Sequence, residues 1–116
     1  MKNESTGRVL SKSVELALTP FQRSLGLRFR PEKEFTKPLV FTLSRETRFN
    51  ATLDMFFVFY PIDVAFLDSS KKIVEVLEGF KPFTFHTPSK PVKHFIELPN
   101  GWVKRFSIKP GQRLSW

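Results

Sequence analysis

Between Asp54 and Glu78 the chain reads DMFFVFYPIDVAFLDSSKKIVEVLE, and no other stretch restricts the fold as much. β-branched and aromatic residues crowd into it, Pro61 interrupts it, and the polar run from Asp68 to Lys71 divides it. The expected order is strand, corner, strand, turn, strand. From Asp54 onward the even positions Phe56, Val58, Tyr60, Ile62, Val64 and Phe66 are all apolar or aromatic. That parity is a core face if Pro61 bends the strand without resetting its phase. The odd positions Met55, Phe57, Phe59, Ala65 and Leu67 are also apolar, which predicts cover on both faces and a place at the centre of a sheet. Ile73 to Leu77 returns as the partner of a hairpin.

Elsewhere the elements are short. Val14, Leu16 and Leu18 alternate with Ser13, Glu15 and Ala17, the period of a half-exposed strand. Thr19 can cap a helix that has Pro20 at its first position, and Phe21 to Leu27 then reads as a short helix stopped or bent near Gly26. Arg28 to Lys37 reads as a surface loop, Leu39 to Leu43 as a strand, and Ser44 to Asn50 as polar chain. Phe83 to Thr87 and Val92 to Leu98 are further strands on either side of the Pro88–Pro91 connection, and Trp102 to Phe106 fits a helical turn. With 116 residues, every element shares one core, so residues 1–116 form a single domain. The fold class expected is mainly β, a sandwich or barrel-like sheet with one or two short helices. The 14 Phe against a single Tyr suit such an interior, because phenylalanine buries a large area without a polar tip.

Composition excludes several classes of chemistry. The chain has no cysteine, so disulfides, thiolate metal sites and thiol nucleophiles are ruled out. Charged and polar residues interrupt the apolar runs near the amino terminus, which gives no signal-peptide core. The longest apolar run, Met55 to Ile62, is about eight residues where a span needs roughly twenty, so no membrane insertion is expected and a cytoplasmic protein is the default.

The formal net charge is +8, and the segment from Gly79 to Trp116 contains one acid, Glu97. Lys93, Lys104, Arg105, Lys109 and Arg113 would contact nucleic-acid phosphates if they converge on one face. The expectation is that they are dispersed as solubilising charges on edges and turns, where lysine also discourages edge pairing.

Three residues stand out as candidate ligand contacts. Asp63, directly after the Pro61 corner in an apolar strand, must be hydrogen bonded, paired or at an opening, and bracing of the corner through backbone amides is the favoured reading. Glu97 shares a strand face with Phe95 and could pair with Arg23 or Arg28. If Arg23, Asp63 and Glu97 meet in one cleft, a small polar ligand or a protein partner could bind there. A dispersed hydrolase site around Asp63 and Glu97 is the alternative from another class. No nucleophile elbow, phosphate-cradling glycine loop or paired-carboxylate motif accompanies these residues, so no catalytic residue and no cofactor is assigned. His86 and His94 lack the close spacing of a metal motif, and no metal site is assigned.

Several segments together resemble the small family DUF192 (COG1430): RSLGLRFR at Arg23 to Arg30, FFVFYPIDVAFLD at Phe56 to Asp68, KKIVEV at Lys71 to Val76, KPFTF at Lys81 to Phe85, FIELPNG at Phe95 to Gly101 and IKPGQRL at Ile108 to Leu114. The resemblance spans nearly the whole chain in order. It implies a mainly β fold and brings no established activity. Phe57 and Val58 stand where many bacterial members have Asn-Thr, and Gln112 stands where members commonly have Asp, so polar groups usual in the family are missing at two places.

Overall fold

The structure is a computed structural model that describes the backbone of residues 1–116 and every side chain except those of Pro20, Phe21 and Ser24. Along the chain come β1 (Lys2–Asn3), β2 (Glu15–Ala17), α1 (Pro20–Leu25), β3 (Leu39–Thr47), β4 (Leu53–Asp54), β5 (Ile62–Leu67), β6 (Ile73–Phe80), β7 (Phe85–His86), β8 (Val92–Pro99), α2 (Trp102–Arg105) and β9 (Leu114–Ser115). Five of the strands form one sheet in the order β2-β3-β8-β5-β6. Only β2 and β3 run parallel; the other pairs are antiparallel. The fold is mainly β, as the sequence predicts.

The register assigns each side chain to a face. Leu39, Glu97 and Val64 lie side by side across β3, β8 and β5, and Phe41, Phe95 and Phe66 form the next row of the same face. On the opposite face, Val40, Ile96 and Ala65 form one row, and Asp63 lies beside Leu98. Both faces are covered. Over the first, Leu27, Phe35, Met55 and Tyr60 close a core around the stacked Phe41 and Phe95 rings, whose centroids are 4.4 Å apart. The β4–β7 ribbon lies on this side, contributing Leu53. Over the second, Leu10, Val103, Phe106, Ile108 and Leu114 pack on Val40, Ile96 and Leu98. Phe66 is fully buried, and truncating such a ring to alanine costs about 3–5 kcal/mol.

Three sequence expectations are corrected. The middle of the sheet is β8, with β5 between it and β6. Residues 55–61 do not extend β5 backward: the Met55 carbonyl accepts from both Val58 N and Phe83 N, and the chain turns with Phe57 at φ 62°. The turn buries Met55 and sends Phe56 outward, but from Val58 onward the expected parity holds across Pro61: Val58, Tyr60, Ile62, Val64 and Phe66 share one core while Phe57 and Phe59 face outward. Finally, β3 continues to Thr47 through the segment read as polar chain, crossing an irregularity between Thr42 and Thr47 where its register on β8 shifts. A bulged strand with one wet face needs no apolar alternation, which is why periodicity missed it.

Candidate functional site

Helix α1 sets one wall of a small polar pocket. A capping box starts it: the Thr19 hydroxyl accepts from Gln22 N, and the Gln22 side chain accepts from Thr19 N. Gly26 ends it at φ 51° and ψ −123°, a conformation that requires glycine. The chain then turns so that Leu27 enters the core and Arg28 reaches across to β4. There Arg28 grips Asp54 with both ends of its fork, at 2.6 and 2.8 Å, and donates to the Phe56 carbonyl at 2.9 Å. The bond to Asp54 raises the Arg28 pKa and lowers that of Asp54.

Glu97 forms the floor. It is 4% exposed, it stands between Leu39 and Val64 on an apolar face, and its Oε1 is buried with no hydrogen-bond partner among the described residues. Burial pushes its pKa up to about 8, against the pull of the Arg28 and Arg30 charges. At neutral pH the carboxyl is therefore largely protonated, and it can donate as well as accept. The cavity above it has a volume of about 90 Å³, bordered by Arg23, Arg28, Thr52, Asp54 and Glu97. That holds a few waters or a small polar group, well short of a drug-sized molecule. A second buried orphan lies within electrical reach: Tyr60 Oη has no partner among the described residues, and burial raises its pKa to about 12 with a contribution from Glu97.

Asp63 is elsewhere. Its side chain points to the opposite face of the sheet, where Oδ1 accepts from Gly79 N at 2.9 Å and Oδ2 accepts from Gly101 N at 3.0 Å and Val103 N at 2.9 Å. These bonds brace the β6 bend and the start of α2. Asp63 and Glu97 therefore share no cleft, because neighbouring register positions Asp63↔Leu98 and Val64↔Glu97 send their side chains to opposite sides. Arg23 lines the Glu97 pocket and donates to the Thr42 carbonyl at 3.3 Å. Of the three candidates, the structure brings Arg23 and Glu97 together and separates Asp63.

The basic residues are distributed. Lys104 and Lys109 border one surface depression beside Ser107. Arg105 lies over the Phe106 ring, as does Arg8, which also donates to the Arg105 carbonyl. Arg113 donates to the Ser70 carbonyl, and Lys93 lies on β8 within electrical reach of Glu46 and His94. The histidines occupy opposite sides of the sheet: His86 pairs with Glu75 and packs on Phe66, while His94 bonds the Thr42 hydroxyl and meets Trp116.

Asp54 is the pocket residue that sequence reasoning passed over. It was the one polar position in an apolar parity run, and that interruption was the available signal.

Over residues 1–116 the chain matches the family DUF192, described as Uncharacterized ACR, COG1430. It is 37% identical over 116 residues to the UPF0127 protein of Pyrococcus furiosus, covering 100% of this chain and 97% of that one. It is 38% identical over 114 residues to the UPF0127 protein of Thermococcus sibiricus, covering 98% of this chain and 72% of that one. Among solved structures, a Sinorhizobium meliloti 1021 protein, provisionally described as a transcription regulator, superimposes with a TM-score of 0.85 at 29% identity, over 98% of this chain and 88% of that one. A protein of unknown function from Novosphingobium aromaticivorans DSM 12444 gives 0.79 at 26% identity, over 89% and 74%.

Proposed function

The chain belongs to the DUF192 family, and within it we propose that this domain is a non-catalytic binding module whose Glu97 pocket receives a small polar group. One observation carries the reading: a buried carboxyl oxygen without a partner faces a cavity bordered by an arginine–aspartate pair. An orphaned buried acceptor costs about 1–3 kcal/mol, and a ligand that supplies the missing bond recovers it. The protonated Glu97 would donate to a ligand carbonyl or hydroxyl and accept from an amide N–H, with Arg23 at the rim favouring a carboxylate. The test is a panel of small amides, carboxylic acids and polyols scanned by amide chemical-shift mapping. A binder should move the amides of Gly26, Arg28 and Asp54 in the wild type and lose that effect in Glu97→Leu. A panel in which no compound moves those amides overturns the reading.

A second reading has its own support. Lys104 and Lys109 share a depression next to Arg105, and the S. meliloti relative carries its provisional description as a transcription regulator. Nucleic-acid binding of this kind would weaken steeply with salt and drop further in a Lys104→Glu, Lys109→Glu double variant. Absence of binding to duplex DNA and to RNA at low salt disposes of it.

A further inference from the structure

Four phenylalanines from segments that read as strand, Phe56, Phe57, Phe59 and Phe83, gather on one surface with Phe29 from a segment that reads as loop. Phe29, Phe56, Phe57, Phe59 and Phe83 are each between 47% and 67% exposed. Phe29 stacks on Phe57 with centroids 4.9 Å apart, and Phe83 meets Phe56, Phe57 and Phe59 edge-on at 6.4, 6.2 and 5.5 Å. The rings come from three separate loops. Backbone bonds lock the loops together, Phe29 N to Phe57 O and Phe83 N to Met55 O, both at 2.9 Å.

Backbone conformation makes the arrangement harder to dismiss. Five non-glycine residues have positive φ, and three of them are in this cluster: Phe29 at 60°, Phe57 at 62° and Phe83 at 59°. Bulky residues avoid that region, and each such conformation costs on the order of 1–3 kcal/mol. An exposed ring adds little to the core that could offset this strain in the isolated chain. The strain has a reason if the rings are buried against something.

We infer that this patch is the face on which two copies of the chain associate about a twofold axis. Shape supports a second copy, because a hollow of about 440 Å³ bordered by Phe29, Pro31 and Phe59 lies against exposed rings, Phe29 being stacked on Phe57 and Phe59 meeting Phe83. A twofold axis through the patch sets exposed rings of each copy against the hollow of the other. Area supports it too. Five rings of roughly 200 Å² each, about half exposed, bury on the order of 500 Å² per copy, or about 1,000 Å² in all. Pro31 and Pro82 flank the rings in sequence and can bring the total toward the ~1,200 Å² at which stable interfaces begin.

Charge separates a second copy from an anionic lipid surface. Arg28 is paired with Asp54 and Arg30 with Glu15; of the charges that remain, Glu32 borders the hollow and Lys81 lies two residues before Phe83 in sequence. The border is close to neutral, although the whole chain carries +8. A lipid-docking face would concentrate unpaired cations around its rings. A neutral apolar face with mixed charges at its edge can meet its own copy without repulsion.

Sedimentation equilibrium of the full chain over micromolar to millimolar concentration tests this directly. The average mass should rise from the 13.5 kDa of one chain toward twice that value, and the amides of Phe29, Phe57 and Phe83 should shift with concentration. A Phe57→Asn, Phe83→Asn variant should keep the wild-type circular dichroism, since asparagine tolerates positive φ, and should weaken association by roughly tenfold or more. Phe29→Asn alone is a second, milder probe should the double variant misfold. A wild-type mass that stays at 13.5 kDa to the highest concentration overturns the inference, as does a folded double variant that associates like the wild type. A monomeric wild type that co-sediments with phosphatidylcholine–phosphatidylglycerol vesicles would overturn it as well and assign the patch to lipid.

Discussion

Asp63 and Glu97 lie one register position apart on neighbouring strands, are almost equally buried, and live opposite chemical lives. Three backbone amides surround the Asp63 carboxylate and occupy both its oxygens. Among the described residues none hydrogen-bonds to Glu97 Oε1, and burial raises the pKa of Glu97 to about 8. Burial is the same for both, so burial does not mark a functional acid. The surrounding donors do: loops that turn on the Asp63 side present free N–H groups, whereas β3 and β5 on the Glu97 side have their backbone groups committed to the sheet.

The largest test of that contrast is removal of each acid. Asp63→Ala leaves three amides without their acceptor, that of Val103 buried and those of Gly79 and Gly101 partly so, and should cost about 3–5 kcal/mol in urea unfolding. Asp63→Asn should cost roughly half as much, because one carbonyl oxygen remains to accept. Glu97→Leu should be neutral or stabilising by about 1–3 kcal/mol at pH 8, since a buried acid gives way to an apolar side chain of similar volume. If Glu97→Leu is as damaging as Asp63→Ala, the two acids have the same role and the comparison collapses.

Titration sharpens the contrast. In the folded protein Glu97 has a pKa of about 8, above the ~4.3 of an unfolded glutamate, so the folded state binds the extra proton between those values. The associated stability is complete below ~4.3 and falls as pH rises toward 8, by up to about 1.4 kcal/mol per pH unit. Asp54, held down by its bond to Arg28, acts in the other direction: its folded pKa lies below the unfolded value, so its contribution is lost as pH falls through the folded value. The combined contribution of these two groups should therefore peak at about pH 4, and the alkaline slope should vanish in Glu97→Gln. Infrared difference spectra of the wild type at pH 7 should show the carbonyl stretch of a protonated carboxylic acid that Glu97→Gln removes.

Smaller effects concern the pocket wall. A Cβ on Gly26 would sit 3.6 Å from Phe41 Cζ and 3.7 Å from Glu97 Oε1, which is ordinary contact, but the φ of +51° strains any other residue. Gly26→Ala should cost about 1–2 kcal/mol in thermal unfolding. Thr19→Ala removes the α1 cap and should cost about 1 kcal/mol. Neither should alter the Asp63 bonds, so a change in α2 amide exchange in either variant would show that the two faces are coupled.

Much of this was legible before any coordinates. The helix cap was visible at Thr19, the helix end at Gly26 and the β5–β6 hairpin at Asp68 to Lys71, because each is fixed by contacts within a few residues. That Asp63 would need backbone donors was legible, because an acid wedged between Ile62 and Val64 is costly to bury alone, but the donors are the amides of Gly79, Gly101 and Val103 and not those of the Pro61 corner. The aromatic loop was misread, since an apolar run carries no mark that distinguishes a covered strand from a turn that exposes its rings. Nor did any local signal join Asp54 to Arg28, because 26 residues separate them.

Propensity, turn chemistry and alternation act over short distances, so the mainly β character, the hairpin, the caps and the family could be read from the chain. Long-range packing was needed to turn Asp63 and Glu97 opposite ways, to close a pocket between Arg28 and Asp54, and to bring five phenylalanines together at the surface. Those outcomes depend on strand register, where a shift of one residue sends every side chain to the other face, and register is settled by the packing of the whole sheet.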